Sequence, residues 1–159
     1  MKDETIPRAD RADQEEHVSL GVLPGLAGYH MRRAFGAIGE DFARALEGTG
    51  IRQVLFGILS IVEANPGINQ GTVGRMLGIK RANMVGPVNE LVERGWLDRP
   101  VDANDRRAFS LALTQAGEAI FDEALARIRA HEDRLLGGFS ASERRQLIEL
   151  LSRIGSREA

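Results

Sequence analysis

Apolar residues recur every three to four positions along most of the chain, which is the spacing of amphipathic α-helices. One such stripe covers residues 20–46, with Pro24 near its first turn and Gly48 beyond its end. A second stripe covers residues 52–65 and stops at the turn sequence Asn65-Pro66-Gly67. The first part of the chain is therefore predicted to consist of a long helix followed by a shorter one.

Two short helical patterns follow, and a glycine separates them. Asn69 can cap the first of these helices, and Gly78 ends it. Gly74 is small enough for two helices to cross closely, and Gly95 can take the left-handed conformation after the second helix. The positions assigned to the buried sides of the two helices are Val73, Leu77, Met84, Val85, Val88, Leu91 and Val92. Two helices joined by a tight turn predict a helix-turn-helix, whose second helix enters the DNA major groove.

The polar residues at the start of the second helix are Lys80, Arg81 and Asn83, which can reach bases or phosphates. A plain helical hairpin with a solvated basic end is the alternative. In the middle of this helix, Pro87 removes the hydrogen bond to the Asn83 carbonyl and costs about 3 kcal/mol. We expect a kink at Gly86-Pro87. The alternative is a helix that begins at Pro87 and leaves residues 80–86 in a loop.

The period then changes to two, which is typical of a half-buried strand. Apolar residues alternate over residues 109–113, after Trp96-Leu97 and a polar loop, so a two-stranded hairpin is the simplest interpretation. Arg106 and Arg107 lie near its tip, where guanidinium groups can enter a narrow minor groove, and Asp105 can hold the loop. A helix-turn-helix with a basic hairpin is a winged helix.

Two further helices complete the chain. Thr114 can cap a long helix that ends at Gly137-Gly138. The sequence from Ser140 to Glu143 forms a capping box for the last helix. The predicted fold class is mainly α with a small β-hairpin wing.

Composition narrows the range of functions. The chain has 159 residues, 43% hydrophobic and 28% charged, as expected for about one folded domain. It has no cysteine, which excludes disulfides, thiol nucleophiles and thiolate metal sites. The formal net charge is −2, so a nucleic acid must meet a local basic patch. Residues 1–19 are expected to form a flexible acidic tail, and the lack of a signal peptide or membrane span predicts a cytoplasmic protein.

Signs of catalysis are weak. The chain contains no phosphate-binding loop, dinucleotide fingerprint, zinc-binding HExxH or nucleophile elbow. The three histidines, His17, His30 and His131, lack partners at ligand spacing, so no metal or other cofactor is expected. The prediction is a protein that is not an enzyme.

Three segments carry a resemblance to a known family: Leu77-Gly78-Ile79, residues 91–97 (LVERGWL) and residues 104–114 (NDRRAFSLALT). They resemble the MarR family of bacterial transcription regulators, over about residues 20–154. The resemblance implies an obligate homodimer that binds a pseudo-palindromic operator through its winged helices. It implies an N-terminal dimerisation helix at residues 20–50, a DNA-binding region at 51–114 and C-terminal dimerisation helices at 115–159.

The resemblance also implies roles for individual residues. Asp105 would brace the wing and Arg107 would enter the minor groove, while Thr72 and Arg75 would contact phosphates. The full set of expected DNA-binding residues is Thr72, Arg75, Lys80, Arg81, Asn83, Asp105, Arg106 and Arg107.

A small-molecule effector that weakens DNA binding is implied in the same way. The segments around Leu23-Pro24-Gly25-Leu26 and Gly50-Ile51-Arg52 look similar to the branch that responds to aromatic acids through their coenzyme A thioesters. The expected ligand-binding residues are Tyr29, His30, Arg33, Phe56 and Ser60. For His30 and Arg33 the alternatives are an interface residue and a surface charge.

The function expected from the sequence is a ligand-responsive repressor of aromatic-compound catabolism, which a small aromatic effector releases from its operator. The alternative is a winged-helix protein-interaction module whose basic wing docks on an acidic partner. A small-molecule enzyme is a third hypothesis, for which the sequence supplies no assembled nucleophile or base.

Overall fold

A computed structural model of the protein describes residues 19–99 and 110–155. Its described part is mostly helical, with a short 3₁₀ helix at Leu23–Gly25. The helices are α1 (Ala27–Ala45), α2 (Gln53–Ala64), α3 (Gln70–Met76), α4 (Arg81–Glu93), α5 (Gln115–Leu135) and α6 (Ala141–Gly155), and the strands are β1 (Ile68–Asn69), β2 (Leu97–Asp98) and β3 (Ser110–Leu113). The chain divides into two compact units, and the boundary between them lies within α1, between Ala37 and Ile38. The predicted fold class is confirmed.

The predicted helix starts are capped as the sequence indicates. The Asn69 side chain accepts a hydrogen bond from the backbone N–H of Thr72 at the start of α3. The Thr114 hydroxyl accepts one from the N–H of Gly117 at the start of α5. Each cap satisfies a backbone donor that the first turn of a helix leaves unpaired. These local bonds fix where α3 and α5 begin.

The strands form an antiparallel sheet in the order β1-β3-β2. In this sheet Leu97 pairs with Leu113, as the predicted hairpin requires, and Ile68 pairs with Leu111 on the other side of β3. The pairing of β1 is an addition to the predicted two-stranded hairpin. Two residues are too short a stretch for a period of two to be visible, so the sequence pattern missed β1.

The core of the second unit, which begins at Ile38, lies between α2, the helix-turn-helix and the N-terminal half of α5. Helix α2 contributes four fully buried side chains, Leu55, Ile58, Leu59 and Val62. Gly117 lets the start of α5 pack against the backbone of Trp96, next to β2, because a Cβ at this position would collide with the Trp96 carbonyl. The other large fully buried apolar side chains are Val73, Met84, Val88, Leu91, Leu97 and Leu111. This packing holds α3 and α4 on one side of the unit.

Two of the sequence predictions lie wholly or largely outside the described residues. The predicted acidic tail covers residues 1–19, of which only Ser19 is described. The tip of the wing, with Asp105, Arg106 and Arg107, lies in the undescribed segment 100–109. Among the described helices, none combines the length and apolar character needed to cross a lipid bilayer.

Candidate nucleic-acid interface

The helix-turn-helix rests on close contact between α3 and α4. Val73 and Met84 are fully buried between them, as predicted. A Cβ at Gly74 would lie 2.9 Å from Cγ of Met84 and 3.1 Å from the carbonyl oxygen of Ile79, so a larger residue would push the helices apart. Gly78 has φ +66°, the left-handed conformation that the turn needs. The predicted helix-turn-helix is therefore present.

Helix α4 runs without interruption from Arg81 to Glu93, with Pro87 inside it. The alternative in which the helix begins at Pro87 is wrong. Lys80 is the N-cap residue of α4, and its backbone carbonyl accepts a hydrogen bond from the N–H of Asn83 at 2.8 Å. This start places residues 81–86 on the helix.

The N-terminal end of α4 presents cations to solvent. Lys80, Arg81 and Asn83 are exposed, and the first turn contains no acidic residue. The unpaired N–H groups of a helix N-terminus add partial positive charge at the same end. Phosphates are stabilised in such a place.

Thr72, in the first turn of α3, is joined to Arg75 in the last turn. The Arg75 guanidinium donates to the Thr72 hydroxyl oxygen at 2.8 Å, and that hydroxyl donates to the Asn69 side chain at 3.1 Å. Arg75 is exposed, whereas Thr72 is half-buried. The bond to Thr72 orients a guanidinium that keeps further donors for an anion.

The outward side of α4 contains residues that the sequence analysis did not select. Val85 was predicted to be buried, but its side chain is 45% exposed. The prediction failed because only one side of α4 faces the core, and Met84 and Val88 lie on that side. Asn89 is also exposed, and its Oδ1 accepts a hydrogen bond from Arg99 at 3.1 Å. A helical projection of the α4 sequence places Asn89 one turn beyond Val85 on the same side. Asn89 could therefore have been selected from the sequence alone.

The far end of α4 is held by a cluster of charges. Glu90 forms ion pairs with Arg94 and with Arg52, which is the N-cap residue of α2. Arg94 also donates to the carbonyl oxygen of Gly50 at 2.7 Å and lies 4.9 Å from the centre of the Trp96 ring. The pairs are partly exposed, so each adds little stability, but together they fix the direction of the helix.

Comparison with known proteins identifies the family. A family model described as MarR family matches residues 51–108. A protein of Thauera aromatica named as a transcriptional regulator of the hcr operon is 35% identical over 139 residues, or 84% of this chain and 81% of that protein. This chain belongs to the MarR family. MarR-family members are transcriptional regulators, which confirms that this chain is not an enzyme.

Two solved structures show family members with ligands of different kinds. The transcriptional repressor CouR bound to a 23-mer DNA duplex has a TM-score of 0.82 and 33% identity, covering 87% of this chain and 98% of that chain. CouR bound to p-coumaroyl-CoA has a TM-score of 0.76 and 31% identity, covering 89% of this chain and 99% of that chain. These matches are similar to this MarR-family chain over most of its length.

Three of the residues expected to bind an effector lie on the part of α1 that belongs to the first unit. His30 is exposed, and its Nε2 lies 2.9 Å from the carbonyl oxygen of Pro24. Arg33 donates to the hydroxyl oxygen of Tyr29 at 2.9 Å. This hydrogen bond raises the pKa of Arg33 above its ordinary value and orients the guanidinium. A fixed cation of this kind suits a carboxylate.

The other two expected ligand residues lie on α2. The Phe56 ring stacks on the Phe121 ring with 5.5 Å between centroids and 18° between planes. Ser60 is half-buried one turn further along α2. The second unit has a cavity of about 300 Å³ beside Val62 and Phe121, which neither Phe56 nor Ser60 lines.

Proposed function

We propose that this MarR-family chain is a dimeric repressor in which α4 of each protomer enters the major groove of a pseudo-palindromic operator. The observation that carries the proposal is the exposed, cationic N-terminal end of α4 on a closely packed helix-turn-helix. The similarity to CouR in its DNA-bound form supports it. Two-fold symmetry of the dimer would place the half-sites about one helical turn apart.

In this proposal the contacts divide by role. Lys80, Arg81 and Asn83 approach bases and adjacent phosphates from α4, and Thr72 and Arg75 contact phosphates from α3. The wing adds Asp105 as a brace, with Arg106 and Arg107 directed at the minor groove, on the basis of sequence. Residues 51–114 then form the DNA-binding region, and residues 20–50 and 115–159 supply dimerisation helices.

Exposed apolar side chains support the dimer. On α6, in the second unit, Ile148, Leu150, Leu151 and Ile154 are all exposed. Separately, the first unit exposes Leu20, Val22, Leu26 and Phe35. Groups of exposed apolar side chains are typical of surfaces that contact other proteins.

We infer that the effector is a small aromatic acid or its coenzyme A thioester, and that the regulated genes serve aromatic-compound catabolism. The similarity to CouR bound to p-coumaroyl-CoA supports this class. On the basis of sequence, Arg33 would neutralise the acidic part of the ligand, and Phe56 and Ser60 would hold its aromatic group. Tyr29 and His30 are further candidate contacts. Binding of the effector would lower the affinity of the repressor for its operator.

The test is a selection of binding sites from random duplex DNA with the purified full chain. Binding to the selected site is then repeated across a salt series and with a panel of aromatic acids and their coenzyme A thioesters. Basic residues from two protomers should make affinity fall steeply with salt, with a logarithmic slope of magnitude about 3 or more.

The outcomes separate the parts of the proposal. A palindrome that one compound releases would support the repressor and identify its effector class. A palindrome that none releases would retain the DNA-binding function and contradict the effector class. Selection without any consensus would contradict the repressor and favour the interaction module that the sequence left as an alternative.

A further inference from the structure

Val85 lies on the outer side of α4 and is 45% exposed, while its neighbours Met84 and Val88 are fully buried. A β-branched residue lowers helix propensity, and an exposed one recovers little of that cost through burial. Packing within the described part of this chain therefore does not account for a valine here. A single exposed valine is common on protein surfaces. What distinguishes Val85 is its position on the helix.

Arg81, Val85 and Asn89 follow one another at intervals of four residues, and all three are exposed. Side chains four positions apart on an α-helix lie one above the other on the same face. Val85 is thus an apolar side chain between a cation and an amide, on the helix that the proposed function places in the major groove. Arg81 is the first residue of that helix.

Asn89 is oriented by a hydrogen bond from outside α4. Its Oδ1 accepts a hydrogen bond from Nη1 of Arg99, which follows β2. With the oxygen held in this way, the amide presents its NH₂ group as a donor. Base edges in the major groove offer acceptors to such a donor, at N7 of purines, O6 of guanine and O4 of thymine. The face therefore combines two donor side chains with one apolar side chain.

We propose that Val85 recognises the 5-methyl group of a thymine in each half-site, between the groups that Arg81 and Asn89 contact. Thymine alone among the four bases carries a methyl group in the major groove, and apolar side chains contact it. The inference rests on the proposed function, because it requires α4 to lie in the groove. It makes Val85 a specificity-determining residue that needs no hydrogen bond.

The test removes only the methyl group. In the duplex selected by the full chain, each thymine is replaced in turn by deoxyuridine, and the affinity of the wild-type protein is measured. One position per half-site should be sensitive, with binding roughly fourfold weaker for one replacement and roughly fifteenfold weaker for both, the effect of removing one buried methyl from each contact. Val85→Ala should bind the thymine and deoxyuridine duplexes equally.

Met76 supplies the matched control. It is another apolar side chain, 59% exposed, at the last position of α3. Met76→Ala should keep the wild-type ratio of affinities for thymine and deoxyuridine at the sensitive position. Val85→Ala should keep the wild-type melting temperature or raise it, because the side chain is exposed and alanine favours a helix. A change in affinity then reports the contact and not the fold.

Two results would overturn the inference. One is a wild-type protein that binds every deoxyuridine duplex as tightly as the thymine duplex. The other is a Val85→Ala variant that retains the full deoxyuridine penalty. Both leave the selected palindrome in place, so they contradict the role of Val85 alone. If the selection yields no palindrome, the proposed function fails, and this inference fails with it.

Discussion

The imidazole of His131 on α5 is 1% exposed, and its two nitrogens have different surroundings. Nδ1 lies 3.0 Å from Oδ2 of Asp41, whereas Nε2 has no hydrogen-bond partner among the described residues. The ring of Phe42 meets the imidazole edge-on, with 6.3 Å between centroids. Asp41 therefore satisfies a buried polar group that joins the C-terminal part of α1 to α5.

Asp41→Ala should lower the free energy of unfolding by about 1–3 kcal/mol, because it leaves both nitrogens of a buried imidazole unpaired. Arg44→Ala is the matched control. It removes only the exposed ion pair between Arg44 and the other oxygen of Asp41, and should cost at most about 1 kcal/mol. Urea denaturation of the two variants measures the difference. Equal losses would show that the contact with His131 contributes no more than the surface pair.

Asn83 and Arg81 are adjacent to the same groove in the proposed complex but should behave differently. Asn83→Ala should change the preferred base at one position per half-site, because an asparagine amide reads base edges. Arg81→Ala should weaken binding to all sequences and reduce the salt slope by about one per protomer. Repeating the site selection and the salt series with each variant checks both. A loss for Asn83→Ala that is the same on every sequence would make Asn83 a phosphate contact.

Within helix α4, Gly86 and Pro87 form an unusual pair. Proline in a helix interior removes a hydrogen bond, and its ring also disfavours the helical conformation of the residue before it, through clashes with the backbone N–H and the Cβ of that residue. Gly86 has no Cβ, and a Cβ built there would have no neighbouring atom within 4 Å other than those of its chain neighbours and its own helix backbone. The glycine therefore permits a helix to continue through proline, and no packing contact demands it.

A double-mutant cycle tests this interpretation. Gly86→Ala alone should not stabilise the protein, since it restores the Cβ that clashes before proline. In a Pro87→Ala background, the same substitution should raise the free energy of unfolding by about 1 kcal/mol, the ordinary gain of alanine over glycine in a helix. Thermal and urea denaturation measure both steps. Equal effects of Gly86→Ala in the two backgrounds would mean that Pro87 does not explain the glycine.

Helix α6 begins with the predicted capping box. The backbone N–H and the hydroxyl of Ser140 both donate to Oε2 of Glu143 at 2.7 Å, and the N–H of Glu143 is 3.3 Å from the Ser140 hydroxyl oxygen. Both hydrogen bonds lower the pKa of Glu143 below its ordinary value of 4.5. The bond from the Ser140 hydroxyl has the larger effect and the bond from the backbone N–H the smaller one. Because the folded pKa is depressed, this support for α6 is complete above pH 4.5 and is lost as the pH falls through the folded pKa.

Ser140→Ala should raise the pKa of Glu143 towards its ordinary value, because the stronger of the two bonds disappears and the backbone bond remains. An NMR titration of the Glu143 carboxyl carbon in the two proteins measures the shift. Arg145→Ala, an exposed substitution on the same helix, should leave this pKa unchanged. A Glu143 pKa that is the same with and without the Ser140 hydroxyl would contradict the capping box as its cause.

At the scale of the whole molecule, the apolar side of α6 is the surface that the proposed dimer would cover. Ile148 is 64% exposed in the single chain, so a polar residue there costs no burial within it. Ile148→Glu should shift the protein towards monomer and weaken operator binding. Gln146→Glu adds the same charge at an exposed polar position of α6 and should leave the dimer intact. Light scattering coupled to gel filtration separates these outcomes, and a dimeric Ile148→Glu would place the interface elsewhere.

Most of the elements, and several of their boundaries, could be predicted from short-range features. Asn69, Thr114 and Ser140 mark helix starts because their side chains bond to backbone groups a few residues away. Gly78 and Gly95 mark helix ends because both have positive φ. The roles of the proposed contact residues stay predictions, and the wing residues 105–107 lie outside the described part of the chain.

The sequence by itself therefore determined the helical stripes, the caps, the turns and the family, because each depends on residues close together in the chain or on a linear motif. Features that depend on residues far apart in the chain were decided only by the tertiary structure. It added β1 to the sheet through the pairing of Ile68 with Leu111, and it joined His131 to Asp41. It also turned Val85 outward, because Met84 and Val88 fill the space against α3 and the core. Periodicity states that one side of a helix is buried, but the surrounding elements decide which residues that side contains.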